Sequence, residues 1–136
     1  SLDEGVSPIG GFSEPEYARV GVTEAVARST HDVVAATVHF HETTRTIIDG
    51  RTDGFCKLVV DRASHLILGC HVVGERAVEI VQVTAIAMSG GMRVEELARL
   101  PLSFPTYTGI LGRAAYRISE QLGLEAGAWS QLEDGS

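Results

Sequence analysis

Lysine is almost missing from this chain. Lys57 stands alone beside ten scattered arginines, and acidic residues outnumber basic ones 18 to 11, for a formal net charge of −7. Phosphate recognition rests on clustered Lys and Arg, and no basic stripe exists here, so a general nucleic-acid role is excluded. No apolar run reaches membrane-spanning length, and the first residues lack the basic and apolar regions of a signal peptide; the expectation is a cytoplasmic chain with no membrane partner. The only two cysteines, Cys56 and Cys70, form neither a CxxC nor a metal-binding spacing, and each falls in an expected strand. They read as reduced core residues. Absent too are GxGxxG after a strand, GxxxxGK[ST], HExxH and GxSxG, so the chain carries no nucleotide-cradling turn or nucleophile elbow of its own. Neither a tandem repeat nor a low-complexity tract is present. At 136 residues the chain is one domain, long enough to bury a core without staples.

What is there is organised around Leu66 to Gly91, LILGCHVVGERAVEIVQVTAIAMSGG. Leu66 to Val73 is an apolar run of strand length. Gly74 breaks it, and Glu75 is expected to open a helix that stops at Gly90 and Gly91. The charges of that helix, Glu75, Arg76 and Glu79, sit in its first turn and a half, where the glutamates suit the positive end of the helix dipole. From Ile80 to Met92 there is no charge. Apolar residues at Val78, Val81, Ala85 and Met88, and at Ile80, Val83 and Ala87, call for cover on most sides, beyond what one sheet face supplies. A second layer or a partner subunit is expected.

Residues 1–11, polar and glycine-rich with Pro8, Gly10 and Gly11, read as an entry segment without regular structure, 12–123 as the folded domain, and 124–136 as a polar tail holding the lone Trp129. Tyr17 to Val20 is a short strand, and Thr23 caps a helix over Glu24 to Ser29. His31 to Phe40 is a strand with Val34, Ala36, Val38 and Phe40 on one face and Val33, Ala35, Thr37 and His39 on the other. Glu42 to Asp49 is ambiguous between a helical turn and a strand. Thr52 to Asp61 and Leu66 to Val73, joined by Arg62 to His65, form an antiparallel hairpin. Glu95 to Leu100 is a short helix with Leu97 and Leu100 inward, closed by Pro101. Thr106 or Thr108 caps a last helix to about Leu122, with Ile110, Leu111, Ala114, Ala115 and Ile118 as its apolar stripe and Gly123 as its stop.

Candidate chemistry is sparse. His39 and His41 flank Phe40 and point to one side of a strand, the geometry of a metal pair, but without a third ligand they read as exposed histidines. His71, inside an apolar strand, reads as a satisfied core or boundary residue. No metal site is assigned.

Several separate stretches, in this order along the chain, carry a resemblance: PExARVGVTE at Pro15 to Glu24, TDGFCKLVVD at Thr52 to Asp61, ILGCHVVGERAVEIV at Ile67 to Val81, and Phe-Pro-Thr at Phe104 to Thr106. Over roughly residues 9 to 122 the chain resembles the C-terminal dimerisation domain of the pyridine nucleotide-disulfide oxidoreductases, and within them soluble pyridine nucleotide transhydrogenase. The resemblance implies an α+β fold, an antiparallel β-sheet with helices packed on one side, and a part in a homodimeric FAD- and NAD(P)-dependent oxidoreductase. The FAD and NAD(P) domains lie in the parent chain, so this stretch by itself should bind neither cofactor and turn over no substrate.

In disulfide-reducing members the position of Phe104 is a histidine and that of Gly109 a glutamate, together the acid/base pair for thiol chemistry. Phenyl and hydrogen cannot carry a proton, so no catalytic residue is expected here. Ser103, Phe104, Pro105 and Thr106 match the segment that reaches the FAD of the partner subunit. The two-fold interface is expected from Val78, Val81, Gln82, Ala85 and Met88 on the central helix and from Tyr107, Ile110, Leu111 and Ala114 at the last one. The alternative is a stand-alone interaction module that kept the fold and uses the same apolar surface on another protein.

Overall fold

In the computed structural model of the chain, residues 9–11, 16–40, 54–100 and 109–124 are described. Their elements are β1 (Ile9–Gly11), β2 (Tyr17–Gly21), α1 (Glu24–Arg28), β3 (Val33–His39), β4 (Phe55–Asp61), β5 (Ile67–Val73), α2 (Ala77–Ser89), α3 (Val94–Arg99) and α4 (Gly109–Gln121). The five strands form one sheet in the order β1-β2-β5-β4-β3, antiparallel throughout. The expected α+β class and hairpin are present. One expectation is corrected. Ile9 to Gly11, read as irregular, is an edge strand paired with Tyr17 to Arg19, because ladder hydrogen bonds need only backbone, and a sheet edge tolerates the glycines that a central strand would not.

Strand alternation divides the sheet cleanly. Val34, Ala36 and Val38 of β3, Cys56, Leu58 and Val60 of β4, Cys70 and Val72 of β5, and Ala18 and Val20 of β2 all point into one core. Two helices roof that face side by side, α2 over β2 and β5, and α4 over β3 and β4, with α3 packed on α4. Phe40, Leu58, Ile80, Leu97, Ile110, Leu111 and Ile118 fill the space between. The helices are not all on one side, however. The short α1 lies against the opposite face, where Ala27, Val33 and Val59 make a small second cluster. Its start is as expected, with Thr23 Oγ1 accepting from Val26 N at 3.2 Å, a cap worth about 1 kcal/mol.

The ends of α2 differ in how locally they are encoded. At its C-terminus Met92 N reaches Ala87 O at 3.0 Å and Gly91 N reaches Met88 O at 3.0 Å, with Gly91 at φ 68°, a glycine-closed Schellman motif. At its N-terminus the helix begins at Ala77 rather than at Glu75. Gly74 (φ 130°) and Arg76 (φ 68°) instead make a turn, and the free N–H of Val78 is taken by Glu16 Oε1 at 3.2 Å. The cap comes from 62 residues away, which no local reading finds. Glu16 also supplies its carbonyl to Gly74 N at 2.8 Å, so a single residue beside β2 seats the whole strand-to-helix corner.

At the other end of β5, the Asp61 carboxylate holds the hairpin loop, accepting from Ser64 N at 3.0 Å and Ser64 Oγ at 2.6 Å. His65, at φ 67°, then turns the chain so that its carbonyl accepts from Val94 N at 2.8 Å, and its Nδ1 lies 3.2 Å from Glu95 Oε1. Burial pushes the Glu95 carboxyl up, but its own backbone N–H, the His65 ring and the Arg93 guanidinium outweigh that and hold it below its ordinary 4.5. A carboxylate lowered in the folded state contributes stability that is fully present above the ordinary value and lost as pH falls through the lower, folded one. Glu95→Gln is therefore expected to flatten the acid limb of a stability–pH curve below about pH 4.5. Urea midpoints measured across that limb for the two proteins check it, and parallel curves would contradict it.

Candidate functional site

Among the described residues the most exposed large aliphatic lies on the outward side of α2. Ala77, Ile80, Val81, Thr84, Ala85 and Ala87 point into the core, and Glu79, Gln82, Ile86 and Ser89 point out. Ile86 is 72% exposed, the most exposed of the large hydrophobics, and Val83 beside it is half-buried. The segment around Ile86 is uncharged from Ile80 to Met92, with Glu79 the nearest charge on that face, two turns back along the helix.

Most of the residues expected at the interface lie inside the chain. Val81, Ile110, Leu111 and Ala114 have no exposed surface and Ala85 has 7%, so a partner cannot touch them while the chain holds this conformation. The physical reason is sheet width. Five strands span two helices, and the stripe on each helix is consumed by its own sheet, α2 on β2 and β5 and α4 on β3 and β4. Gln82 is on the surface as expected, and Val78 and Met88 are half-buried against the core. The residue that sequence reasoning passed over is Ile86. Its signal was present, because Ile86 stands four residues beyond Gln82 and seven beyond Glu79, on the polar side of the helix, where a large aliphatic has no core to meet.

Ser103, Phe104, Pro105, Thr106 and Tyr107 lie outside the described residues, as does His41. Gly109 opens α4 half-buried, and a Cβ built on it meets nothing within 4 Å, so its missing side chain is not a packing requirement. His39 is exposed and stacks edge-on to Phe55 at 6.3 Å between ring centroids. Among the described residues no three His, Cys, Asp or Glu side chains gather to hold a metal ion. His71 is a boundary residue as expected, its Nε2 3.1 Å from the Val22 carbonyl. No helix among the described residues is long and apolar enough to cross a membrane.

Cys56 and Cys70 are both free and buried, with their sulfurs 3.9 Å apart. The contact with Cys70, aided by burial, pushes the Cys56 thiol well above the usual 9.0. Cys70 is drawn below it because the Cys56 S–H can donate to its thiolate.

Residues 7–115 match the family model of the pyridine nucleotide-disulphide oxidoreductase dimerisation domain. The chain belongs to this family. Dihydrolipoyl dehydrogenase of Bacillus subtilis is 37% identical to it over 105 residues, which cover 76% of this chain and 22% of that one. Soluble pyridine nucleotide transhydrogenase of Mycobacterium bovis is 30% identical over 118 residues, 86% of this chain and 25% of that one. The crystal structure of LpdA from Mycobacterium tuberculosis superposes with a TM-score of 0.79 at 25% identity, over 85% of this chain and 25% of that one. The chain thus spans about a quarter of the length of these relatives. Family membership accounts for the sheet with its two roofing helices.

Proposed function

We propose that this chain is the homodimerisation part of a cytoplasmic FAD- and NAD(P)-dependent oxidoreductase, whose cofactor domains lie in the remainder of a longer protein. The observation that carries the reading is Ile86, a large aliphatic left 72% exposed on a helix of a dimerisation-domain fold. Buried apolar area at the centre of such a contact is where binding energy concentrates. The chain by itself is not a catalyst. Its contribution is to hold two copies in register so that Ser103 to Thr106 of one reach the FAD of the other.

FAD, when bound, supplies the hydride acceptor. Toward it this chain brings Phe104 and Gly109, which can neither give nor take a proton, and the open space at Gly109 leaves room for a group from across the interface. An apolar, proton-silent lip suits hydride exchange between NAD(P)H and flavin, as in a transhydrogenase, and not the acid/base work of disulfide reduction. Sedimentation equilibrium of the chain from nanomolar to high micromolar concentration tests the assembly. A dimer persisting into the low micromolar range is expected. A strict monomer over the whole range would remove the dimerisation role from this surface and favour a module that binds another protein.

A further inference from the structure

The sheet has a second face, and α1 covers only part of it. Ala27 of α1 packs with Val33 and Val59, at the end where β3 begins. Beyond that cover, strand register lines up two rows across β2, β5 and β4. Tyr17, Val73 and Phe55 are successive cross-strand partners, and so are Arg19, His71 and Lys57. The residues between them in sequence, Ala18, Val72 and Cys56, point into the main core, so alternation turns both rows the other way. Tyr17 is 47% exposed, Arg19 is exposed, and the other four are half-buried.

Neither row is what an uncovered sheet face calls for. The solvated face of an antiparallel sheet is polar, and the first row is apolar. The second sets two cations either side of an imidazole, in a chain of net charge −7 that holds one lysine. Lys57 is answered by Glu24 of α1 at 2.6 Å. Among the described residues Arg19 has no acidic partner. The face fits an apolar group flanked by carboxylates.

One stretch of this chain has that chemistry. Residues 125–136, EAGAWSQLEDGS, carry Glu125, Glu133 and Asp134, no basic residue, and the chain's single tryptophan, Trp129. They follow α4, which lies over β3 and β4 and whose Arg117 donates to the Thr37 carbonyl at 3.3 Å. Thr37 is the cross-strand partner of Lys57, so the helix comes to the edge strand β3 at the level of the basic row. Twelve residues reach about 40 Å when extended. Rounding one layer of about 10 Å and crossing the spacings from β3 to β2, about 14 Å, needs less. A tethered segment also acts at millimolar effective concentration, so modest contacts suffice.

We propose that residues 125–136 fold back round β3 and lie on this face, with Trp129 against Tyr17 and Phe55 and a carboxylate at Arg19. The inference goes beyond the dimerisation role and does not rest on it. Covered in this way, the apolar row is kept from pairing with other chains, and association is left to the opposite side of the molecule, where α2 lies.

The test reads the fluorescence of Trp129 in the 136-residue chain against that of a synthetic peptide of residues 125–136. The chain is expected to emit to the blue of the peptide, to resist acrylamide quenching, and to keep both properties on dilution. Tyr17→Ser and Arg19→Glu, each at an exposed position, should return emission and quenching to the peptide values while far-ultraviolet circular dichroism stays that of the wild type. Ile86→Asp, on the other side, should change neither. Emission equal to the peptide's overturns the proposal. So does a blue shift that survives both open-face variants, or one that fades on dilution in step with the sedimenting mass, which would seat the tryptophan against a second copy. Should Tyr17→Ser fail to fold, Arg19→Gln, which removes a charge at an exposed site, carries the same comparison.

Discussion

Gly21→Ala is expected to cost the fold about 3 kcal/mol, with the urea midpoint falling and the slope of the transition unchanged. Gly21 ends β2 directly opposite Gly69 of β5, and the two backbones approach as only glycines allow. A Cβ on Gly21 would stand 2.1 Å from the Leu68 carbonyl oxygen, and one on Gly69 would stand 2.1 Å from that of Val22. Neither neighbour is free to retreat. Leu68 O accepts from Val22 N at 3.0 Å, and Val22 O is held by the His71 ring. Gly21 has a second reason to be glycine, its φ of 75°, where an L side chain costs roughly 1 kcal/mol. Two companion variants separate the terms. Gly91, at φ 68°, has nothing within 4 Å of its would-be Cβ, so Gly91→Ala isolates strain at about 1 kcal/mol. Gly69→Ala isolates the clash, at roughly 1–3 kcal/mol. If Gly21→Ala cost no more than Gly91→Ala, the close approach would impose nothing.

That pair also shows where the sequence was legible. Strand faces in β3 followed from period-two alternation, and helix ends from glycines, because those signals lie within a few residues of what they control. Both Gly90–Gly91 and Gly123 end their helices as read, the latter with Leu124 N on Ser119 O at 2.9 Å. The Gly21–Gly69 contact, the Glu16 cap on α2 and the meeting of Cys56 with Cys70 are products of strand register. Nothing near any of those residues announces its partner. The burial of the expected interface residues has a related origin. An apolar stripe states that a helix must be covered, and only the width of the sheet decides whether the cover is internal. Ile80, Val81 and Ala85 found cover inside the chain, and Ile86, on the other side, did not. At the resemblance level the motifs carried the family correctly, while Phe104 and its neighbours lie outside the described residues.

Ile86→Asp and Val81→Ala should therefore have opposite signatures. Ile86 is mostly in water, so replacing it leaves the isolated fold within about 0.5 kcal/mol of its stability. In a dimer that buries Ile86 near its centre, a carboxylate in its place is desolvated without a partner, and association should weaken by about 2 kcal/mol or more, roughly 30-fold in dissociation constant. Val81 has no exposed surface. Its truncation removes two methyl groups from the packing of α2 on the sheet and should cost about 2 kcal/mol of folding stability. At protein concentrations where the fold is intact, association should stay near the wild-type value. Sedimentation equilibrium and urea unfolding on the same two variants read both quantities. Val81→Ala dissociating the dimer while Ile86→Asp leaves it whole would mean that α2 turns its other face to the partner, and the helix would then have to leave its own sheet to do so.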